Sequence, residues 1–198
     1  MSVFDEISSI YDLGMLPLEL LVFRRLRRRI FPALRGRILE IGVGTGANVG
    51  LYAEGTDVYA CDASESVLQV TRQHSPSWVR LLLTDAQRLP FPDGIFDVVT
   101  ASLVFCSIAD PHQGLSEARR VLAAEGRLVL LEHMRGLPPL GDRLTDLFHP
   151  VWHSWSRECH LNRETVQTVE QAGFTIESVR SHLFGIVREI EARNEEQS

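Results

Sequence analysis

The sequence predicts an α/β fold in which helices cover both faces of a parallel sheet. Short apolar runs alternate with amphipathic helical patterns along most of the chain, as expected for strand–helix–strand units. The composition is that of an ordinary globular protein, with 44% hydrophobic and 23% charged residues. The 198 residues fit one domain with a full core. We therefore expect a single domain over residues 1–198.

Five apolar runs predict the strands of the main body, and the segments between them predict helices. The strands are expected at Arg37–Ile41, Asp57–Cys61, Trp78–Thr84, Phe96–Ser102 and Arg127–Glu132. The helices are expected at Ala47–Glu54, Glu65–His74 and Pro111–Ala123. Ser64 is a favourable N-cap for the second helix, and Asp110-Pro111 is a favourable start for the third.

The segment after the fifth predicted strand, Met134–Arg163, differs in character and predicts an insertion. It holds three of the nine prolines and several aromatic residues. A helix over Arg163–Ala172 should follow, with Gly173 at its C-terminal end. Two further strands are expected at Phe174–Val179 and His182–Val187. The tail Glu189–Ser198 has four acids and no apparent apolar period, so we expect it to fray.

The charged residues exclude several classes of function. All 20 basic residues are arginine, which excludes Schiff-base chemistry and the phosphate-binding lysine of a P-loop. There are 26 acidic residues, for a net charge of −6. Seven arginines lie between Arg24 and Arg37, so the rest of the chain is strongly acidic. An acidic body of this kind is a poor nucleic-acid binder, and we expect no nucleic-acid partner.

The basic stretch predicts an amphipathic helix over Leu16–Ala33, because apolar residues recur there every three or four positions. The helix could pack on the core with a solvated arginine face, or it could lie on an anionic membrane surface through Arg24–Arg37. We expect the first arrangement and keep the second as an alternative.

The expected location is cytoplasmic, with peripheral membrane contact as an alternative. Met1–Asp12 lacks the apolar run of a signal peptide. No apolar stretch approaches the length that spans a bilayer. The three cysteines are widely spaced and odd in number, which favours a reducing compartment.

A glycine-rich turn after the first strand predicts a nucleotide-cofactor site. Gly42, Gly44 and Ala47 fit the G-x-G-x-x-G/A pattern between a strand and a helix. Asp62 follows Gly42 by 20 residues, at the end of the next strand, where an acid can bind ribose hydroxyls. These residues alone leave a nicotinamide enzyme and other adenosine-cofactor enzymes open.

Other features argue against the nicotinamide enzyme. Glu40 lies directly before the glycines and would repel a pyrophosphate, whereas it could bind a ligand amine. Asp85 and Ala86 end the third strand, where a carboxylate and an N–H can meet an adenine ring. The chain has no lysine, and therefore no Tyr/Lys pair for hydride transfer.

Together these residues resemble the class I S-adenosylmethionine-dependent methyltransferases. The family's first motif corresponds to Glu40–Gly46, its ribose acid to Asp62, its adenine acid to Asp85, and its fourth-strand motif to Phe96–Ser102. The resemblance covers about residues 11–190. It implies S-adenosylmethionine as cofactor, S-adenosylhomocysteine as product, and a Rossmann-like doubly wound sheet of order 3-2-1-4-5-7-6 with one antiparallel strand. The implied cofactor-binding residues are Tyr11, Glu40, Gly42, Gly44, Gly46, Asp62, Ala63, Asp85, Ala86 and Ser102.

Within that class the chain is most similar to the ubiquinone/menaquinone methyltransferase-like branch. Ile10-Tyr11-Asp12 resembles the Tyr-Asp of that branch, which lies over the cofactor. The motifs Leu131-Glu132-His133 and Cys159-His160-Leu161-Asn162-Arg163-Glu164 resemble a narrower subgroup, the lipid-associated thiol methyltransferases. The sequence differs from the animal members in lacking a long apolar N-terminal anchor, which implies weaker membrane attachment. Residues 1–35 are expected to form N-terminal cap helices.

The acceptor is expected beyond the ends of strands four and five, under residues 134–163, which we call the lid segment. His133 is the candidate general base, because imidazole suits proton removal near neutral pH; it could equally be a structural histidine at the sheet edge. The expected acceptor is a small lipophilic thiol or lipid-like amine. The alternatives are a phospholipid or quinone at the membrane surface, or a non-catalytic cofactor-binding protein.

No metal site is expected. His149, His153, Cys159 and His160 are close in sequence, but their spacing matches no zinc motif. Trp152 and Trp155 are expected to pack the lid segment, and Cys106 and Cys159 to fill apolar space.

Overall fold

The structure is a computed structural model that describes residues 22–156, 160 and 162–194, with backbone alone for 148 and 151–156. Several sequence-based expectations therefore lie outside the described residues. They concern Tyr11, the first part of the Leu16–Ala33 helix, Cys159, and the side chains of Trp152, His153 and Trp155.

Seven strands and five helices make up the described chain. The strands are β1 (Arg37–Ile41), β2 (Asp57–Asp62), β3 (Val79–Leu83), β4 (Phe96–Ser102), β5 (Leu122–His133), β6 (Thr175–His182) and β7 (Val187–Arg193). The helices are α1 (Arg24–Ile30), α2 (Glu65–Arg72), α3 (Pro111–Val121), α4 (Gly141–Ser156) and α5 (Thr165–Gln171). Short 3-10 turns occupy Phe31–Ala33 and Leu183–Gly185.

The strands form one sheet in the order β3-β2-β1-β4-β5-β7-β6, which confirms the expected topology. The neighbouring pairs from β3 to β5 are parallel. β7 runs antiparallel to both β5 and β6. The carboxyl ends of the parallel strands consequently share one edge of the sheet, which we call the carboxyl edge.

Each face of the sheet has its own apolar core, which explains why strands such as β1 read as continuous apolar runs. One core contains Leu115, Ala118 and Val121 of α3 together with Val169 of α5. The other contains Leu26 and Ile30 of α1 and Phe23 just before it. α1 therefore covers the face opposite to α3 and α5. None of the described helices is both long and apolar enough to cross a membrane.

The helix expected over Ala47–Glu54 is wrong, because the chain forms successive turns there. Its hydrogen bonds reach back three residues, from Val49 N–H to Gly46 carbonyl at 3.3 Å and from Leu51 N–H to Asn48 carbonyl at 2.8 Å. Gly46 has a positive φ of 85°, and Asn48 points inward to bind Glu40. Local glycine freedom and a buried polar contact override the helical pattern.

The prediction for the C-terminal region is also wrong in part. Residues 189–193 belong to β7 between two other strands, so this part of the tail does not fray. Glu189 is buried, and it accepts a hydrogen bond from Arg180 at 2.8 Å and another from Arg29. The strand expected at His182–Val187 is shifted, because a 3-10 turn fills Leu183–Gly185. The arginines neutralise the acids, so the acids do not prevent strand formation.

Candidate cofactor and acceptor site

Four strands deliver the expected cofactor residues to the carboxyl edge. The glycine turn follows β1, Asp62 ends β2, Asp85 follows β3, and Ser102 ends β4. In open α/β sheets ligands bind in the crevice outside this edge. The sheet order therefore brings together the described members of the set that the sequence predicts.

The three glycines of the turn have positive φ but different surroundings. A Cβ on Gly42 would lie 2.3 Å from Val104 Cγ2, and one on Gly46 would lie 2.7 Å from His74 Nε2. A Cβ on Gly44 would meet nothing within 4 Å. Gly42 and Gly46 thus permit close packing within the protein. Gly44 leaves open space at the carboxyl edge, where a ligand can approach the backbone.

Asp62 fixes the position of this turn. Its Oδ2 accepts a hydrogen bond from Gly44 N–H at 2.9 Å, and its Oδ1 accepts one from Ser64 N–H at 3.0 Å. Thr71 Oγ1 donates to the Gly44 carbonyl at 2.6 Å. A carboxylate has about four acceptor positions, so Asp62 retains capacity for two hydroxyl donors.

Asp85 is exposed at the neighbouring strand end. Its Oδ1 accepts hydrogen bonds from the Gln87 backbone N–H at 2.8 Å and from Gln87 Nε2 at 3.2 Å. Ala86 is half-buried against the apolar core on the α3 side of the sheet. This carboxylate is accessible to an exocyclic amine, as an adenine site requires.

Glu40 is buried beneath the glycine turn. Its Oε1 accepts a hydrogen bond from Asn48 Nδ2 at 2.6 Å, and its Oε2 accepts one from Tyr52 Oη at 2.8 Å. Burial raises the pKa of Glu40 to about 7, although both hydrogen bonds and the charge of Arg27 oppose that rise. Asn48 Oδ1 is also buried and has no hydrogen-bond partner among the described residues. An ammonium group of a ligand is a suitable hydrogen-bond donor for Asn48 Oδ1.

Arg27 corrects the expectation of a wholly solvated arginine face on the N-terminal helix. It is 6% exposed, whereas Arg24, Arg25, Arg28 and Arg29 are exposed. Its Nε donates to Ser102 Oγ at 3.3 Å, and its charge acts on Glu40. α1 therefore delivers one cation to the same sheet face as Glu40 and Ser102.

His133 ends β5 on the face that α1 covers. It is buried, and its ring meets the Phe23 ring edge-on at a centroid distance of 5.3 Å. A general base must come within hydrogen-bond reach of the proton that it removes. His133 can therefore act as the base only if the methyl acceptor can reach it beside α1. The role of His133 as a base stays a prediction.

Glu132, one residue earlier, supports the loop after β4. Its Oε1 accepts hydrogen bonds from the N–H groups of Val104 at 2.9 Å and Phe105 at 3.0 Å, and its Oε2 accepts one from Cys106 N–H at 3.3 Å. Burial raises the pKa of Glu132 to about 7. Glu132 thereby holds the loop that lies over Gly42.

The lid segment is attached to the same loop at its C-terminal end. Arg163 Nη1 donates to the carbonyls of Phe105 at 2.6 Å and Ile108 at 2.9 Å. His160 N–H donates to the Cys106 carbonyl at 2.8 Å. Cys106 is buried, as expected from its apolar surroundings. The loop after β4 thus joins the cofactor side of the edge to the lid segment.

No group of three or more metal-ligating side chains lies within the described part of the chain. The His149 and His160 rings are 5.8 Å apart between centroids. The side chains of His153 and Cys159 lie outside the described residues, so the expectation of no metal site stays a prediction.

Comparison with known proteins identifies the family. A methyltransferase-domain family model matches residues 39–130, which run from within β1 through β2–β4 and most of β5. A demethylmenaquinone methyltransferase from Clavibacter sepedonicus is 36% identical over 74% of this chain and 63% of its own length. The thiol S-methyltransferase TMT1B of Homo sapiens is 31% identical over 75% of this chain and 67% of its own length. The chain belongs to the class I S-adenosylmethionine-dependent methyltransferases, in the ubiquinone/menaquinone branch.

A solved structure supports the fold assignment. An S-adenosylmethionine-dependent methyltransferase from Thermotoga maritima superposes with a TM-score of 0.74 at 21% identity, covering 97% of this chain and 98% of its own. The chain spans less than two thirds of the Clavibacter protein.

S-adenosylmethionine is the cofactor of this methyltransferase family, and the described residues fit it. The space beside Gly44 and the remaining acceptor capacity of Asp62 suit its ribose. The buried acceptor of Asn48 suits its ammonium group. Arg27, Asn48, Tyr52 and Glu132 are polar residues at this edge to which the sequence assigned no role. Asn48 directly follows the glycine motif, but nothing local shows that it binds Glu40. No fixed spacing links the other three to the motif's glycines, so only the fold reveals their positions.

Proposed function

We propose that this methyltransferase transfers a methyl group from S-adenosylmethionine to a small lipophilic acceptor. The observation that carries the proposal is the open face of Gly44 between Asp62 and the buried Glu40 cluster. That arrangement supplies acceptors for hydroxyl and ammonium donors, and the carboxylates of Glu40 and Asp62 would repel a phosphate. It therefore matches a sulfonium nucleoside better than a pyrophosphate cofactor.

In the proposed mechanism the protein acts mainly by positioning. When bound, the cofactor would supply a methyl group already activated on a sulfonium. An in-line nucleophile would displace S-adenosylhomocysteine, and a thiol or ammonium acceptor would have to lose its proton. Asp62 accepts from the ribose hydroxyls, and Asp85 accepts from the adenine amine. Glu40 and Asn48 hold the ammonium end. Alignment of two reactants is worth about 7–11 kcal/mol in well-oriented cases.

The acceptor we favour is a thiol or a lipid-like amine, placed between the loop after β4 and the lid segment. The apolar side chains there, Phe105 and Met134, are buried and offer no charge to a polar substrate. Similarity to the human thiol S-methyltransferase supports a thiol. A quinone is the second candidate, because relatives such as the Clavibacter protein are named demethylmenaquinone methyltransferases.

A product assay tests the proposal. Purified protein is incubated with S-adenosylmethionine and a panel of alkyl thiols, long-chain amines and reduced quinones, and S-adenosylhomocysteine is quantified. We expect turnover with at least one lipophilic acceptor and none with its short polar analogue. Calorimetry with S-adenosylmethionine is run in parallel. Cofactor binding without turnover on the whole panel would favour a non-catalytic cofactor-binding protein.

A further inference from the structure

A group of large apolar side chains is exposed beside the site. Leu183 is 40% exposed, Phe184 64% and Leu147 70%. Leu137 and Leu140 are about half exposed. We call these five side chains the apolar tip. They come from the lid segment and from the turn between β6 and β7, both at the carboxyl edge.

The apolar tip joins the start of the lid segment to the turn between β6 and β7. Leu137 N–H donates to the Phe184 carbonyl at 2.9 Å, and a Cβ on Gly185 would lie 2.6 Å from Leu137 Cγ. Leu140 precedes α4 by one residue, and its carbonyl accepts from Leu144 N–H at 3.0 Å. Leu147 follows Leu140 by seven residues, so both lie on one side of this helix.

The backbone at the tip is strained in a way that exposes these residues. Leu183 has a φ of 49° and Phe184 a φ of 56°, both in the left-handed region. Bulky side chains rarely occupy that region, and glycine or asparagine is the usual choice. Strain of this kind concentrates at functional sites. A turn that uses leucine and phenylalanine here indicates that their exposure has a use.

Basic side chains border the tip. Phe23, just before α1, contacts His133 at the end of β5, and Arg29 pairs with Glu189 of β7. Arg25 lies one turn before Arg29 on the same side of α1, so it lies towards the start of β7 and the Leu183–Gly185 turn. Arg24 and Arg28 are exposed on the same helix. Arg25 therefore brings positive charge towards the tip.

Two of the acids near the tip are compensated. Asp146 of α4 pairs with Arg135 at 2.9 Å. Glu189 of β7 pairs with Arg180 at 2.8 Å as well as with Arg29. These pairs reduce the negative charge near the tip, where Asp142 of α4 also lies and Arg143 is exposed.

We propose that the apolar tip and the α1 arginines dock the protein on an anionic lipid bilayer. Exposed leucine and phenylalanine side chains enter the boundary between headgroups and acyl chains, and arginines attract anionic headgroups. Docking would turn the carboxyl edge towards the bilayer, so a lipophilic acceptor could pass from lipid to the site. The proposed docking is argued from the exposed side chains alone, whereas the passage of the acceptor from lipid to the site rests on the proposed function.

Vesicle flotation with the full chain tests the docking. Vesicles of phosphatidylcholine alone are compared with vesicles containing about 30 mol% phosphatidylglycerol, at low and at high salt. We expect binding to the anionic vesicles, weaker binding at high salt, and little binding to the neutral ones. No binding to anionic vesicles at low salt would overturn the proposal.

Matched substitutions test which side chains contact the bilayer. Phe184→Asn keeps a residue that tolerates the left-handed turn, and Leu147→Gln keeps the helix; we expect each to lower the partition coefficient roughly tenfold. Val70→Gln replaces a 44% exposed valine on the other half of the sheet and should change nothing. Combined Arg24→Gln, Arg25→Gln and Arg28→Gln should abolish the preference for anionic lipid.

Three results would overturn the proposal. Unchanged binding of both tip variants would show that the tip does not enter lipid. An equal loss in Val70→Gln would show that the effect is not specific to the tip. Concentration-dependent dimers in sedimentation velocity, lost in the tip variants, would assign the tip to a second copy of this chain. Calorimetric binding of S-adenosylmethionine, measured on every variant, separates these outcomes from failure of the proposed function.

Discussion

Two buried glutamates at the carboxyl edge serve the two halves of the site in different ways. Glu40, in the cofactor half, is held by the side chains of Asn48 and Tyr52. Glu132, in the acceptor half, is held by three backbone N–H groups of the loop after β4. Side chains can exchange partners when a ligand arrives, whereas backbone N–H groups left buried without an acceptor destabilise the fold. The hydrogen bonds of Glu40 in the cofactor half can thus rearrange when a ligand binds, whereas those of Glu132 in the acceptor half stabilise the loop after β4.

The largest expected effect concerns the one candidate base in the acceptor half. His133→Ala should lower kcat at least about a hundredfold if His133 removes a proton, because general bases contribute that much or more. Cofactor affinity should change little, since His133 lies outside the glycine turn. Turnover and calorimetry on the same preparation measure both. Unchanged turnover would end the candidacy of His133, and His133→Gln controls for lost packing against Phe23.

The second prediction concerns a substitution that impairs only the cofactor half of the site. Gly44→Val should lower cofactor affinity by about a hundredfold, because the side chain fills the space at the edge and strains a positive φ of 56°. Gly55→Val is the matched control: its φ is 85°, and its Cβ would also meet nothing within 4 Å. Isothermal titration should separate the two variants although both lose stability. Equal losses of affinity would contradict the location of the ligand beside Gly44.

The third prediction tests the support role of Glu132. Glu132→Ala should lower the free energy of unfolding by about 2–3 kcal/mol, because three buried N–H groups lose their acceptor. Glu132→Gln keeps one acceptor oxygen and should lose less. Urea titration measures both. A variant Glu132→Ala as stable as the parent would show that the loop finds other acceptors.

The fourth prediction concerns ribose binding. Asp62→Asn should weaken S-adenosylmethionine binding roughly tenfold, since one charged acceptor of hydroxyl donors is lost. Because Asn can still accept from Gly44 N–H, the unfolding free energy should fall less than in Asp62→Ala. Calorimetry and urea titration give the two numbers. A binding constant equal to that of the parent would remove Asp62 from the cofactor site.

The last prediction is a dependence of stability on pH. Burial raises the pKa values of Glu40 and Glu132 to about 7 in the fold, from the ordinary value of 4.5. A raised carboxyl pKa favours the protonated fold, so its stabilising contribution is present below about 4.5 and is lost as pH rises to about 7. Each group should contribute roughly 1–3 kcal/mol across that interval. Urea titrations at pH 5 to 8 measure the slope, which Glu132→Gln should reduce; a slope of opposite sign would contradict the burial effect.

Glu117, whose pKa is shifted in the opposite direction, does not interfere with the pH experiment. Glu117 has a lowered pKa because Arg120 donates hydrogen bonds to it. Its contribution is present above its usual pKa and is lost only as pH falls below about 4.5. It therefore acts outside the interval in which Glu40 and Glu132 titrate.

The sequence predicted the sheet far better than the polar contacts beneath it. Strands such as Arg37–Ile41 and Phe96–Ser102 are mostly apolar, and the structure has both strands at the predicted positions. The turn at 46–54 was missed, because its conformation depends on Asn48 reaching a carboxylate that the chain pattern does not connect to it. β7 was missed because acids mask an alternation of buried Ile190 and Ala192. Arg27 was missed because six other arginines surround it in sequence and nothing local marks it as the buried one.

The position of β7 has a consequence for the order of assembly. This strand is the last of the seven in the chain, yet it lies between β5 and β6. While its residues are still inside the ribosome, β5 presents a long unpaired edge and β6 has no strand beside it. Such an edge is open to other chains, so a nascent chain of this protein should depend on chaperone protection until residues 187–193 have left the ribosome.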